Sequence, residues 1–184
     1  MSFKSLTLGL AAAAACMVAT SVSAEEFRCT GSVGAVALDN IFVPDGASCA
    51  LNRTRAKGSI VVGRGARLHA SSVSVNGNLQ AEGAASVVVA GYSTFGGSVQ
   101  IVQGGGASID RARINGDILF DENTGGVAAT GNTIGGNLQA FKNMSGVVVR
   151  SNRINGNLQC KENIPAPTGG SNQASSKEDQ CARL

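Results

Sequence analysis

A repeat with a period of about 20 residues is the feature of this sequence that most constrains its fold. Glycines that follow a turn-like residue recur at nearly even steps along the chain: Gly58, Gly77, Gly97, Gly116, Gly136 and Gly156. Asp39 lies one period before Gly58 and begins one further unit, which makes seven. A fixed period of this length is typical of a solenoid.

Apolar side chains occupy the same places in every unit. Shortly after each anchor stand the alternating pairs Ile41/Val43, Ile60/Val62, Leu79/Ala81, Val99/Ile101, Ile118/Phe120, Leu138/Ala140 and Leu158/Cys160. A second apolar set follows: Cys49/Leu51, Leu68/Ala70, Val87/Val89, Ile109, Val127/Ala129 and Val147/Val149. A third precedes the next anchor: Ala56, Val75, Phe95, Ile114, Ile134 and Ile154. Alternation of this kind predicts three short strands per unit, each with one buried face.

Three stacked strands per unit predict an all-β fold, a single-stranded parallel β-helix of about seven coils. A left-handed helix built from hexapeptides has a shorter period, so the observed period favours the right-handed form. The Asn-Gly and Gly-Gly corners fit this fold because they tolerate positive φ, and a second turn after the first strand uses Gly83, Asn123, Asn143 and Asn163. A β-sandwich is the alternative, but its strands do not repeat in three fixed columns.

Composition excludes several classes of protein. Only 15% of the residues are charged and the mean hydropathy is +0.10, unlike a highly charged disordered chain. The net charge of +3 is too small to predict nucleic-acid binding. The body of the chain has no apolar run of membrane-spanning length. Aromatic residues make up 4%, which argues against a large α/β enzyme core.

The segment 1–24 reads as a secretory signal peptide. Lys4 supplies the charge, an apolar stretch follows, and Val22-Ser23-Ala24 is a small-residue cleavage pattern. The sequence therefore predicts a secreted or periplasmic protein. The alternative is a lipoprotein anchored at Cys16, although Ala13 stands where a lipobox normally has a larger aliphatic residue.

Four cysteines remain after the leader, and an even number in an exported chain favours disulfides. Three pairings are possible. We favour the two local ones, Cys29–Cys49 and Cys160–Cys181, which would close opposite ends of the solenoid. Cys29 precedes Cys49 by one period, so these two are expected to share a column.

A metal site is the alternative use of the cysteines. The sequence has no Cys-x-x-Cys, and His69 is remote in sequence from every cysteine. No metal and no other cofactor is expected.

The predicted organisation is a leader (1–24), a β-helix (25–163) and a C-terminal capping tail (164–184). The tail contains Pro165, Pro167, Gly169 and Gly170. These residues predict that it folds over the last coil and does not extend the sheet.

The segment from Asp39 to Leu51, the repeated Gly-Asn-Leu-Gln blocks and the ending from Asn157 to Cys181 resemble small, uncharacterised exported bacterial β-helix proteins. The likeness covers nearly the whole mature chain and implies architecture and location, without an activity. A looser similarity is to bactofilins, which polymerise end to end. Bactofilins have neither a signal peptide nor cysteine-closed ends, so the likeness does not extend to filament formation.

Two surfaces are candidates for binding. Outward positions of the first strand form two polar columns, Ser59, Asn78, Ser98, Asp117, Asn137, Asn157 and Val61, Gln80, Gln100, Leu119, Gln139, Gln159. Stacked amides stabilise a solenoid; alternatively, they bind sugar hydroxyls. The third strand carries a basic stripe, which we define as Arg53, Arg55, Arg111, Arg113 and Arg153. It suits an acidic polysaccharide, lipopolysaccharide or phosphate; solvated arginines are the alternative.

Catalysis has less support in the sequence. Asp117, Asp121 and Glu122 form the densest acidic group, and Glu162 follows two coils later. His69 is expected to be a surface residue, and no Gly-x-Ser-x-Gly motif occurs. The sequence thus predicts a non-catalytic, exported structural or surface-binding protein of the bacterial envelope or exterior, whose oligomeric state is left open. A polysaccharide-binding or polysaccharide-degrading protein is the alternative, and two carboxylates within about 5 to 10 Å of each other in a groove would favour the enzyme.

Overall fold

In a computed structural model, which describes residues 26–184, the chain is a parallel β-helix of about eight turns. The predicted leader and the alternative anchor at Cys16 lie outside the described residues. Twenty-four short strands form three parallel sheets, and each turn of the chain adds one strand to each sheet. The predicted fold class is therefore confirmed.

The strands divide among three sheets. Sheet 1 contains β1 (Glu26–Arg28), β4 (Asn40–Val43), β7 (Ile60–Val62), β10 (Leu79–Glu82), β13 (Val99–Val102), β16 (Ile118–Asp121), β19 (Leu138–Phe141), β22 (Leu158–Lys161) and β24 (Lys177–Asp179). Sheet 2 contains β2 (Ser32–Val33), β5 (Ser48–Asn52), β8 (Arg67–Ser71), β11 (Ser86–Ala90), β14 (Gly106–Asp110), β17 (Val127–Thr130), β20 (Val147–Arg150) and β23 (Thr168–Gly170). Sheet 3 contains β3 (Ala37–Leu38), β6 (Arg55–Ala56), β9 (Ser74–Val75), β12 (Thr94–Phe95), β15 (Arg113–Ile114), β18 (Thr133–Ile134) and β21 (Arg153–Ile154).

The core fills the space between the three sheets. Every residue of the three predicted apolar sets is buried, and Ala107 completes the pair with Ile109. The register places like residues over one another, as with Leu138 over Leu158 and Ile134 over Ile154. Each column therefore gains apolar contact from one coil to the next, because a side chain's neighbours are those of the adjacent coils.

The structure adds coils at both ends of the seven predicted. At the start, β1 pairs Glu26 with Asn40, which follows it by less than one period, so this first coil is short. At the other end, the tail was expected not to extend the sheet, and this expectation is wrong. Strand β23 pairs with β20 and β24 pairs with β22, with Lys177 opposite Leu158. Proline does not prevent this, because Pro165 and Pro167 precede β23.

The glycine corners between sheets 3 and 1 differ from the prediction in their backbone. The positive-φ residues of the described chain do not include Gly77, Gly97 or Gly135. These positions require glycine for space: a Cβ on Gly135 would overlap the backbone oxygen of Asn115 one coil earlier. Close stacking of the coils, and not left-handed backbone, explains these glycines.

Positive φ occurs instead at the other two corners, and mostly in residues other than glycine. The corner between sheets 1 and 2 uses Gly83, Gln103, Glu122, Lys142 and Glu162, and the corner between sheets 2 and 3 uses Arg53, Ser72, Tyr92, Arg111, Gly131 and Ser151. A non-glycine residue rarely adopts this conformation by itself. Stacking on the coils above and below therefore imposes it.

Hydrogen bonds between coils satisfy the polar corners. After each glycine corner a side-chain oxygen accepts the backbone N–H of the equivalent residue in the next coil, as when Asn78 Oδ1 accepts from Ser98 at 2.8 Å. The same contact links Asn40, Ser59, Asn78, Ser98, Asp117, Asn137 and Asn157 in sequence. The predicted hydrogen bonding along this column is thus confirmed, mostly through bonds from backbone N–H groups to side-chain oxygens, with one side-chain bond from Asn137 Nδ2 to Asp117 Oδ1.

Two buried asparagine ladders stand at the positive-φ corners. The first ladder is Asn123, Asn143 and Asn163, and the second is Asn132, Asn152 and Asn172. In each step one Oδ1 accepts both the backbone N–H and the side-chain N–H of the asparagine before it. The sequence analysis placed Asn123, Asn143 and Asn163 at a turn without predicting their burial or hydrogen bonds, and it did not name the second ladder. The signal was present, since asparagine recurs once per coil in both sets.

Both predicted disulfides are formed. Cys29 joins Cys49 with a Cα–Cα distance of 5.5 Å, and Cys160 joins Cys181 with a distance of 5.2 Å. The expectation that Cys29 and Cys49 share a column is wrong, because Ser32 pairs with Ala50 and so aligns Gly31 with Cys49. All four cysteines are buried, and the two bonds close opposite ends of the core.

Candidate polyanion-binding surface

The basic stripe lies on the outer face of sheet 3 and along its border with sheet 2. Strand pairing places Arg55, Ser74, Thr94, Arg113, Thr133 and Arg153 in one continuous column. Arg53 and Arg111 lie at the positive-φ corner beside that column. The structure therefore brings the five predicted residues onto one side of the solenoid.

Three arginines of the column are free to bind a ligand. Arg55, Arg113 and Arg153 are exposed, and none has a side-chain hydrogen bond or an ion pair within residues 26–184. Arg111 differs, because its Nε donates to Asp110 Oδ2 at 2.8 Å. Cations without a partner on the protein keep their charge available to an anion.

Carboxylates are scarce around the stripe. On the corner beyond Arg55 and Arg113, the column reads Lys57, Asn76, Gly96, Asn115, Gly135 and Asn155. Asp39 heads this column, and Lys57 Nζ lies 2.9 Å from its Oδ1. The remaining positions are amides and glycines, so the stripe faces little competing negative charge.

A depression of about 330 Å³ adjoins Arg113 on this face. Its polar lining is Ser74, Asn76, Thr94, Asn115 and Arg113. Hydroxyl and amide groups beside a guanidinium can hydrogen-bond both the hydroxyls and the acidic group of a sugar.

Tyr92 is a further member of this surface that the sequence analysis missed. Its side chain is 75% exposed, at the positive-φ corner next to Thr94. The Arg111 guanidinium lies 5.7 Å from the ring centroid. An exposed ring beside hydroxyls and arginines offers an apolar surface for a sugar ring. It is the only tyrosine of the chain, which was the available signal.

The predicted acidic group does not form one site. Asp117 belongs to the corner column, where its Oδ1 accepts the backbone N–H of Asn137. Glu122 accepts a hydrogen bond from Gln103 at 2.9 Å, which lowers its pKa, and Lys142 lowers the pKa further. Burial, and then the charge of Glu122, raise the pKa of the Asp121 carboxyl above its ordinary value. The three carboxylates therefore lie in three different environments and do not form one site.

A separate groove of about 460 Å³ crosses the outer face of sheet 1 and contains two carboxylates. Asp45 and Glu82 line it together with Gln80 and Gln100 of the predicted amide column. Arg64 contacts both acids: its backbone N–H donates to Asp45 at 2.8 Å, and its guanidinium lies 3.7 Å from Glu82. The sequence analysis did not bring these two acids together.

The remaining candidates stand apart from the stripe. His69 is exposed on sheet 2, between Ala50 and Val88 in register. In the part of the chain that the structure describes, no cluster of three histidine, cysteine or acidic side chains could hold a metal ion. No helix within residues 26–184 is long and apolar enough to cross a membrane.

The fold and the surface together define the class of this protein, which is a parallel β-helix with an exposed basic face. Comparison with known proteins found no matching family model, no matching curated protein and no matching solved structure. A fold does not by itself define a function, so the functional evidence lies in the surface.

Proposed function

We propose that this protein is an exported, non-catalytic binding protein whose basic stripe holds an acidic polysaccharide or another envelope polyanion. The observation that carries the proposal is the column of three exposed, unpaired arginines, Arg55, Arg113 and Arg153, with hydroxyl groups between them. Export is supported by the two disulfides, which persist in oxidising compartments, and by the leader pattern of residues 1–24.

The spacing of the charges suits a polymer better than a small anion. Coils stack about 4.8 Å apart, so Arg113 and Arg153, two coils apart, are separated by roughly 10 Å. Arg55 and Arg113, three coils apart, are separated by roughly 14 Å. A single exposed contact is weak, but a chain with repeated anionic groups can engage all three arginines at once.

The test compares salt elution from immobilised polyanions. The parent and R113S/R153S are applied to a sulfated polysaccharide, a carboxylated polysaccharide and lipopolysaccharide, which distinguishes the sources of the anionic group. Serine already occupies this column at Ser74, so folding is expected to be unchanged. We expect R113S/R153S to elute at clearly lower salt than the parent on at least one of the three.

A matched control removes the same charge elsewhere. R67S/R183S replaces two exposed arginines outside the basic stripe that also make no ion pair within the described chain. We expect this variant to elute later than R113S/R153S. Equal elution of the two double variants would show that only net charge matters and would overturn the proposed site.

The groove on sheet 1 supports a second candidate, a polysaccharide-degrading activity. Glycoside hydrolysis uses a pair of carboxylates that flank the scissile bond at a set separation, and Asp45 and Glu82 are the two carboxylates that line this groove. The test incubates the parent and E82Q with the polysaccharide that binds best and measures new reducing ends. Product formed by the parent and not by E82Q would favour the enzyme over the binding protein.

A further inference from the structure

The outer face of sheet 2 carries opposite charges placed symmetrically about one strand. Pairing aligns Asp110, Thr130 and Arg150 in one column, so that the acid and the base each stand one coil from Thr130. Asp110 uses Oδ2 to bind Arg111 of its own chain. Arg150 is exposed and has no ion pair within residues 26–184.

Around this column the outer face of sheet 2 carries small and largely apolar side chains. Its central outward positions are Val88, Ser108, Ala128, Val148 and Thr168. Val148 is 37% exposed, and Met144 and Ile164 on the adjoining corner are 54% and 60% exposed. Exposed apolar side chains on this face and along its corner form a patch of the kind that another protein covers.

We propose that this face binds a second copy of the chain, related by a two-fold axis that runs along strand β17. Such an axis keeps each column in place and reverses the order of the coils. Asp110 of one copy then faces Arg150 of the other, twice per dimer. Ala128 meets its own counterpart at the axis, and Val148 lies over the small Ser108.

The same arrangement accounts for the other charges of the face. Arg67 and His69 stand on β8, three coils before β17, whereas sheet 2 ends with β23, two coils after it. The axis therefore places no strand of sheet 2 of the second copy over Arg67 or His69, and both remain in solvent. No pair of like charges from the outward columns of sheet 2 is brought face to face.

The area of the contact between the two copies sets the expected affinity of the dimer. Five coils stacked at about 4.8 Å and strands of about 16 Å cover roughly 400 Å² on each copy. The two copies together bury roughly 800 Å², which is less than the roughly 1,200 Å² that stable specific interfaces bury and corresponds to a weak, transient complex. We therefore expect a dimer with a dissociation constant of tens of micromolar or weaker, visible only in concentrated solution.

The test is a charge exchange followed by sedimentation equilibrium at about 10 to 500 μM, with both disulfides intact. D110R and R150D each place like charges opposite each other, and we expect each to weaken the dimer about tenfold or more. The double variant D110R/R150D restores opposite charges and should return most of the affinity. R153D on sheet 3 makes the same charge change as R150D outside the interface and should leave the dimer unchanged.

Ala128 provides an independent variant. A128R places two guanidinium groups against each other at the axis and should abolish the dimer, while circular dichroism shows an unchanged fold. The proposal is overturned if the parent stays monomeric at the highest concentration, if the double variant remains as weak as the single ones, or if R153D weakens the dimer as much as R150D.

Discussion

Asn152 supports the backbone of Asn132 through a single oxygen. Its Oδ1 accepts the backbone N–H of Asn132 at 2.9 Å and the side-chain N–H of the same residue at 3.0 Å. Asn152 Nδ2 in turn donates to the backbone oxygen of Ala129 at 2.8 Å. All of these groups are buried, so the asparagine takes the place that water would occupy at an open corner.

Replacing Asn152 with alanine should therefore destabilise the solenoid strongly. The substitution leaves buried donors without acceptors, and each such group costs about 1 to 3 kcal/mol. We expect N152A to lose about 3 kcal/mol of unfolding free energy in urea titrations. Asn155 is the matched control, since it is exposed and its side chain makes no hydrogen bond within the described chain; N155A should change stability by less than about 0.5 kcal/mol. Equal losses in N152A and N155A would contradict the ladder's role.

The glycine corner gives a steric prediction. A Cβ on Gly135 would overlap the backbone oxygen of Asn115, and a backbone atom cannot move aside as a flexible side chain does. We expect G135A to lower the unfolding free energy by about 2 kcal/mol or more. At Gly34 no heavy atom lies within 4 Å of a built Cβ, and φ is not positive. G34A should be neutral or slightly stabilising, and a loss there as large as in G135A would refute the packing explanation.

The disulfides should stabilise the ends of the rod more than its middle. Each closes a loop of about 20 residues, for which the chain-entropy estimate is about 3 kcal/mol. In hydrogen exchange, C29S/C49S should increase exchange within residues 26–52, and C160S/C181S within residues 158–184. The central coils should be unchanged in both variants. Peptide mapping that finds free thiols, or a link from Cys29 to Cys160, would contradict this prediction.

Two neighbouring carboxyls should respond to pH with opposite sign. The pKa of Asp121 is raised in the folded state, so its ionisation as the pH rises favours unfolding. D121N should therefore raise Tm at pH 7, and the gain should disappear near pH 2.5, where the acid is protonated in both states.

Glu122 is the control for the direction in which stability changes with pH. Its pKa is lowered, chiefly by the hydrogen bond from Gln103, so the stability that it contributes at neutral pH is lost as the pH falls. E122Q should lower Tm slightly at pH 7, because the side chain is exposed and solvent weakens the effect, and should match the parent near pH 2.5. Shifts of the same sign in D121N and E122Q would contradict the two pKa directions.

The sequence determined the class of fold, the core and the disulfide pairs. Apolar columns such as Leu138 and Leu158 recur at the coil period, and burial of one face of each strand is the driving force of folding. Those features are local and periodic, so they can be read without knowing which coils touch. The basic stripe was also predictable, because the three columns assign each residue to an inner or an outer face.

Other features were decided only when the coils stacked. Arg53 and Tyr92 adopt positive φ although neither residue favours it. The backbone N–H of Arg53 donates to the oxygen of Ser71 in the adjacent coil, a contact that exists only once the coils stack. Asn132 is buried because the next coil supplies the oxygen that its amide needs. The groove that unites Asp45 and Glu82 spans residues from separate coils. Contacts between coils determine each of these features, and a single unit of the repeat contains no information about its neighbour's side chains.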